Sequence, residues 1–291
     1  MNWQGETKSR SDSPVAVGGV GGSGTRLIAQ ILRHVGFYMG DDLNEASDNV
    51  WFTLLFKRTD LWGVSQAGDS FEQAVQAFRS VMIGSTSLSP TQVDWIESLA
   101  ALDRPQHNSA WLSERVESLR RAAALQSQRH GRWGWKEPNT HIYLDRLQRA
   151  FPTMKYIHVM RNGLDMAHSS NQNQLRLWGP HLLRTSEVEV NARSSLKFWC
   201  HVHRRVLTLA EAMPKNFLLL NYDEFCSYPQ SRLRDLLKFL EVSVDATTER
   251  SLFSLVRPPD SIGRFKHFGL QLFDPEDVAY VASLGFDTEC S

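Results

Sequence analysis

Val15-Ala16-Val17-Gly18-Gly19-Val20-Gly21-Gly22-Ser23-Gly24-Thr25-Arg26, running on into Leu27-Ile28-Ala29-Gln30-Ile31-Leu32, is the stretch that decides the fold. Its first residues read as a short buried strand and its last as an amphipathic helix with apolar residues at helical spacing. The glycines between them, with a serine and a threonine, build a loop whose backbone N–H groups point inward. That loop is closed by a helix N-terminus carrying partial positive charge. Such an arrangement holds a phosphate or sulfate group. Gly19 and Gly24 have the G-x-x-x-x-G spacing of nucleotide triphosphatases, but Thr25-Arg26 stand where Lys-Ser or Lys-Thr would follow. The lysine for the outer phosphates and the hydroxyl for Mg²⁺ are both missing, so an anion loop working without a metal is expected.

Composition narrows the class. At 291 residues the chain fits one large α/β domain, 14–291, carrying a helical insertion at about 56–130 behind a polar, disordered leader at 1–13. Lys plus Arg and Asp plus Glu both count 32, which argues against an electrostatic nucleic-acid binder. Three isolated cysteines, Cys200, Cys226 and Cys290, fit free thiols in a reducing compartment. The amino end has no signal-peptide core, and no apolar run is long enough to span a bilayer. A cytoplasmic protein is the expectation.

After the first helix, Gly36 to Gly40 reads as a second short strand opening into an acidic segment, Asp41 to Asp48. Its carboxylates either perform chemistry or point away from the ligand, with Ser47 or Asp48 available to cap a helix at Trp51. Phe71–Val81, Val93–Leu102 and Glu114–Arg129 carry helix-spaced apolar residues, and Pro90 and Pro105 mark boundaries. Lys136 falls at the end of a strand that Pro138 terminates, where ligands of open α/β sheets collect; the plainer alternative is a surface lysine paired with Glu137. Asn139-Thr140 is expected to start the next helix. The strand Lys155–Met160 leads into Arg161-Asn162-Gly163-Leu164-Asp165-Met166-Ala167-His168-Ser169. Arginine offers a planar fork of donors and serine a hydroxyl, making a second anion site. Two such sites imply a ligand with phosphates at both ends. Asn191–Met213 reads as a long helix, on which His201 and His203 point to different sides and make a poor metal pair. Phe217–Glu224 reads as a buried strand with Tyr222 at its end, Pro229 as the start of a helix, and Ser261–Phe268 as a basic, aromatic loop.

These motifs, from Val15 to Phe268, resemble the sulfotransferases that use 3′-phosphoadenosine-5′-phosphosulfate (PAPS), especially the branch of tyrosylprotein sulfotransferases and their bacterial relatives. The matching residues are Gly21-Gly22-Ser23-Gly24-Thr25-Arg26, Lys136-Glu137-Pro138, Arg161 through Ser169, Tyr222-Asp223-Glu224 and Gly263 to Lys266. The resemblance implies a P-loop NTPase-like sulfotransferase fold, a central, mostly parallel sheet flanked by helices. Gly22, Ser23, Gly24, Thr25 and Arg26 would hold the 5′-phosphosulfate. Arg161 and Ser169 would hold the 3′-phosphate, with help from Tyr222, Arg264 and Lys266. Lys136 would stabilise charge on the leaving phosphate, and Glu45 is the nearest match to the general base, with Asp48 and His141 as alternatives. Adenosine 3′,5′-bisphosphate would be the product, no metal is expected, and the acceptor would be a carbohydrate, peptide or small metabolite. One residue departs from the pattern: Gly22 stands where relatives commonly carry Lys or Arg, and Lys136 or Arg26 would take over its charge. The competing readings are a P-loop small-molecule kinase and a nucleotide-binding module without catalysis.

Overall fold

The computed structural model describes residues 13–63, 67–84, 88–125 and 131–290. Four strands, β1 (Val15–Gly19), β2 (Gly134–Lys136), β3 (Lys155–Met160) and β4 (Phe217–Asn221), form one parallel sheet in the order β2-β1-β3-β4. Tyr156 pairs with Phe217 and Met160 with Asn221 at the ends of the β3–β4 ladder. The helices in chain order are α1 (Thr25–His34), α2 (Val50–Phe56), α3 (Ala67–Ile83), α4 (Pro90–Ser98), α5 (Ser109–Ala124), α6 (Leu144–Ala150) and α7 (Gly163–Ala167). They continue with α8 (Asn173–Leu182), α9 (Ala192–Ala210), α10 (Tyr222–Ser227), α11 (Pro229–Leu240), α12 (Ala246–Leu255) and α13 (Pro275–Ser283). Among the described residues no helix is long and apolar enough to cross a membrane. The predicted leader lies outside the described residues up to residue 12, as does the predicted end of the 114–129 helix from residue 126.

The chain divides into two compact units. The first holds Leu32–Glu137 and Asp145–Lys155 with the chain up to Ala16; the second holds Val17–Ile31, Pro138–Leu144 and the chain from Tyr156 onward. The first unit is built on aromatic packing. Trp135 of β2 stacks on Phe52 at 5.6 Å between ring centroids and meets Phe78 edge-on at 5.3 Å, so α2 and α3 are fixed to the strand that delivers Lys136. Arg104 ties off α2 by donating to the carbonyls of Thr53, Leu54 and Lys57, the groups a helix C-terminus leaves unpaired. The second unit has its own core, with Met160, Leu164, Trp199, Phe265, Phe273 and Val281 buried together, and Trp199 Nε1 donates to the Arg161 carbonyl at 3.2 Å.

Several local expectations are corrected. Gly36–Gly40 forms no strand; Tyr38 makes a single bridge to Trp133, and the Met39 carbonyl accepts from the Asn49 side chain instead of a strand neighbour. The cap before Trp51 is Asn49, which accepts from Phe52 N–H at 2.9 Å, because the Asp48 carboxylate is engaged by Lys136 and Asn44. Pro138–Tyr143 is a 3₁₀ turn and α6 starts only at Leu144: the Asn139 side chain accepts from Trp178 Nε1 rather than capping its own helix. β4 stops at Asn221, whose side chain caps α10, so Tyr222 opens a helix instead of ending a strand. Arg264–His267 is likewise a 3₁₀ turn.

Candidate active site

In the first unit, β2 ends on Lys136, whose side chain is only 3% exposed. Its ammonium donates to the Asp48 carboxylate and, at 2.9 Å, to the Ala46 carbonyl. The lysine is therefore buried and paired with Asp48, not a surface partner of Glu137. Asp48 also accepts from Asn44 Nδ2 at 2.9 Å, and the backbone N–H of Asp48 donates to Asn44 Oδ1, which closes a tight turn. Glu45 sits exposed on that turn, and its carboxylate makes no hydrogen bond among the described residues. Nearby, burial holds the Lys57 ammonium below its ordinary range despite the attraction of Glu137 and Asp48.

In the second unit the Gly-rich loop joins β1 to α1. Ser23 N–H donates to the Val20 carbonyl at 3.0 Å, which bends the loop back on itself, and the Ser23 hydroxyl is buried with no hydrogen-bond partner among the described residues. Thr25 is also buried, whereas Arg26 is exposed in the first turn of α1. Gly24 has φ +95°, and a Cβ there would lie 2.2 Å from the Tyr222 ring. Gly22 has φ +94° but open space around it. Gly24→Ala therefore adds a ring clash to backbone strain, while Gly22→Ala adds strain alone, about 1–2 kcal/mol. Urea titration should show Gly24→Ala as much the more destabilised variant; equal midpoints would mean the Tyr222 ring moves aside at no cost.

The second site lies in the same unit. Arg161 directly follows β3, only 9% exposed, and its Nη2 donates to Ser261 Oγ at 2.8 Å. Its Nε faces Asp223 Oδ1 at 3.9 Å, too far for a hydrogen bond, and both atoms are buried without a hydrogen-bond partner among the described residues. The other Asp223 oxygen accepts from Asn162 N–H at 2.8 Å; burial raises the Asp223 carboxyl above its usual range, against the opposing pull of that bond and of Arg161. Burial likewise pushes the Tyr222 hydroxyl up to about 12, so it remains a donor at neutral pH. Ser169 Oγ accepts from Asn171 N–H at 3.2 Å and keeps its own proton to donate. Arg264 donates to the His168 carbonyl at 3.0 Å, and Lys266 pairs with Asp287 at 2.8 Å. Tyr222 and Asp223 link the Gly-rich loop to Arg161, because one packs on Gly24 and the other faces Arg161.

A profile described as the sulfotransferase family matches residues 14–246. The chain belongs to the sulfotransferase family. Among solved structures, this sulfotransferase is similar to the sulfotransferase domain of the Synechococcus PCC 7002 olefin synthase. That match has 17% identity and a TM-score of 0.51, covering 99% of this chain and 100% of the other. It is also similar to the sulfotransferase domain from the curacin biosynthetic pathway, with 13% identity and a TM-score of 0.51, covering 95% and 99%. At these identities the likeness speaks for the fold. A comparison with curated proteins returns no significant match.

Three pairings at this sulfotransferase's candidate site escape sequence reading, although Asp48 itself stands out as a cap and as an alternative base. Asp48 is the partner of Lys136, Ser261 is the partner of Arg161, and Asp165 bonds to the late turn. Their partners are 88, 100 and 98 residues distant. Of the alternative bases, His141 is fully buried, its Nε2 is engaged with Gln174 Oε1, and burial lowers its pKa to about 3.

Proposed function

We propose that this sulfotransferase takes its sulfuryl group from PAPS and passes it to a hydroxyl or amine of a carbohydrate, peptide or small-metabolite acceptor. The observation that carries the donor assignment is a pair of buried donors in one unit, Ser23 Oγ and Arg161 Nε, without hydrogen-bond partners among the described residues. They lie at the two ends of the connection Gly24–Tyr222–Asp223–Arg161. An unmet buried donor costs roughly 1–3 kcal/mol, and a ligand anionic at both ends would satisfy both.

In this reading Ser23, Gly24, Thr25 and Arg26 hold the 5′-phosphosulfate, with Gly22 leaving the approach open. Arg161 and Ser169 hold the 3′-phosphate, assisted by Tyr222, Arg264 and Lys266. PAPS, when bound, supplies an activated sulfuryl group and a phosphate leaving group. Glu45 accepts the proton of the acceptor hydroxyl at its free carboxylate. Asp48 is committed to Lys136 and Asn44, which leaves Glu45 as the unengaged acid of that turn. Lys136 provides the ammonium that balances charge as the leaving oxygen becomes anionic, and Lys136 or Arg26 supplies the neutralisation that relatives draw from a basic residue at the Gly22 position.

Calorimetry on the purified chain in EDTA tests the donor: adenosine 3′,5′-bisphosphate should bind, and more tightly than ADP. Indifference to it removes PAPS from the scheme, and binding of ATP–Mg²⁺ in a separate titration without EDTA would favour the kinase reading. Glu45→Gln should slow transfer from labelled PAPS by about 10²–10⁴ and leave bisphosphate affinity intact. Full turnover by that variant would pass the base role to Asp48.

A further inference from the structure

Within itself the turn that carries Arg264 and Lys266 is closed by short-range backbone bonds, from Lys266 N–H to the Gly263 carbonyl and from Phe268 N–H to the Phe265 carbonyl. These shape it but do not tie it to the Arg161–Ser169 element. Gly263 sits in the left-handed region at φ +77°, and Ile262 and Phe268 on either side are exposed at 40% and 55%. What fixes the turn is Asp165, a carboxylate buried to 2% exposure in the first turn of α7. A carboxylate so placed ordinarily serves its own helix N-terminus. Here both oxygens are spent elsewhere: Oδ2 accepts from Gly263 N–H at 2.8 Å and Oδ1 from Phe265 N–H at 3.0 Å. The contact extends on both sides. Arg161 donates to Ser261, Arg264 donates to the His168 carbonyl, and the His168 ring stacks on Phe268 at 4.1 Å and 10°. Phe265 plugs the turn into the core at 1% exposure. Arg161, Asp165 and His168 thus hold the late turn in register, with Asp165 at the centre supplying two charge-assisted bonds.

We propose that Asp165 is a positioning residue for donor binding: its carboxylate is the receptor that docks the Gly263–His267 turn onto the Arg161–Ser169 element. The inference rests on the reading that this element holds the 3′-phosphate. Docking delivers Arg264 and Lys266 to that end of the nucleotide, so turn docking and 3′-phosphate binding strengthen each other reciprocally. The 5′ end, held by the Ser23–Arg26 loop, does not draw on Asp165.

Asp165→Asn preserves shape but puts an NH₂ group opposite one of the two N–H donors. A charged hydrogen bond is worth about 1.5–3 kcal/mol, so affinity for adenosine 3′,5′-bisphosphate should fall about 10- to 100-fold. Affinity for adenosine 5′-monophosphate should hardly change, which collapses the preference for the 3′-phosphorylated nucleotide. In the same variant, without nucleotide, trypsin should cut at Arg264 or Lys266 faster than in wild type. Equal weakening of both nucleotides, an unchanged preference, or unchanged cleavage would each overturn the proposal. Hydrogen exchange on the wild-type chain makes the test independent of the variant's folding. The Gly263 and Phe265 amides should be protected in the free protein and further slowed by the bisphosphate, and rapid exchange in both states would refute the docking. If wild type binds neither nucleotide, the donor assignment fails on its own, and the cleavage and free-state exchange results still decide whether Asp165 holds the turn.

Discussion

Lys136→Ala is expected to slow sulfuryl transfer by about 10²–10³, the usual cost of removing one donor aimed at a developing anion, with adenosine 3′,5′-bisphosphate binding little changed. The same substitution should destabilise the fold, and the two effects need separating. Lys136 is buried against Asp48, whose side chain is 17% exposed. Removing the ammonium strands that carboxylate, which costs up to about 3–5 kcal/mol for a buried pair. The Asn44 bond and the remaining exposure of Asp48 place the expected loss at the lower end. The double variant Lys136→Ala/Asp48→Ala removes both charges, so stability should largely recover while the rate does not. Recovery of the rate in the double variant would show that Lys136 matters only as Asp48's partner. A loss of nucleotide affinity with unchanged turnover would refute its role in the transition state.

Acidification should unfold the protein well before its carboxylates are fully protonated. Three histidines, His141, His158 and His203, are buried in the second unit, with ring centroids 6.0 Å apart for the first pair and 5.1 Å for the second. His158 Nδ1 meets the Tyr156 hydroxyl at 2.9 Å, and His203 Nδ1 donates to the Trp199 carbonyl at 2.7 Å. Each ring keeps one buried nitrogen without a partner among the described residues. Burial lowers His141 to about 3 and His203 to about 4, and moves His158 in the same direction. Above pH 6.5 these rings are neutral in both folded and unfolded chains and add no pH dependence. Below it the unfolded chain takes up protons that the folded chain refuses, so stability falls by about 1.4 kcal/mol per pH unit for each ring. By pH 4, His141 and His203 together withdraw roughly 6 kcal/mol, comparable with the whole stability of many domains. Urea midpoints at pH 7, 5.5 and 4.5 should trace that slope, and His203→Phe should make it shallower. The same slope in His203→Phe would assign acid unfolding to the carboxylates instead. Because Gln174 bridges His141 to the Gly19 carbonyl, the Gly-rich loop should loosen with the histidine cluster.

Local chemistry accounts for how much was readable beforehand. The strand–glycine–helix order of residues 15–34 and the Arg161–Ser169 element appear where periodicity and turn residues place them, because each is written in contiguous residues. Asn49, Asn139 and Asn221 show where such reading fails. An asparagine caps whichever amide it reaches, and only packing decides whether that amide belongs to its own helix. Asn221 caps α10 and Asn49 caps α2, while Asn139 is drawn away to Trp178.

From residue order alone came the Gly-rich strand-to-helix loop, the arginine at a strand's carboxyl end and the lysine two residues before Pro138, since spacing and side-chain type suffice to specify a backbone loop or a donor. The partners came from the tertiary structure: Asp48 for the Lys136 ammonium, Ser261 for the Arg161 guanidinium, and the Gly263 and Phe265 amides for the Asp165 carboxylate. The physical reason is that a charge buried in the fold is paired by whatever the packing brings within about 3 Å, and chain separations near one hundred residues leave no mark of that in the sequence.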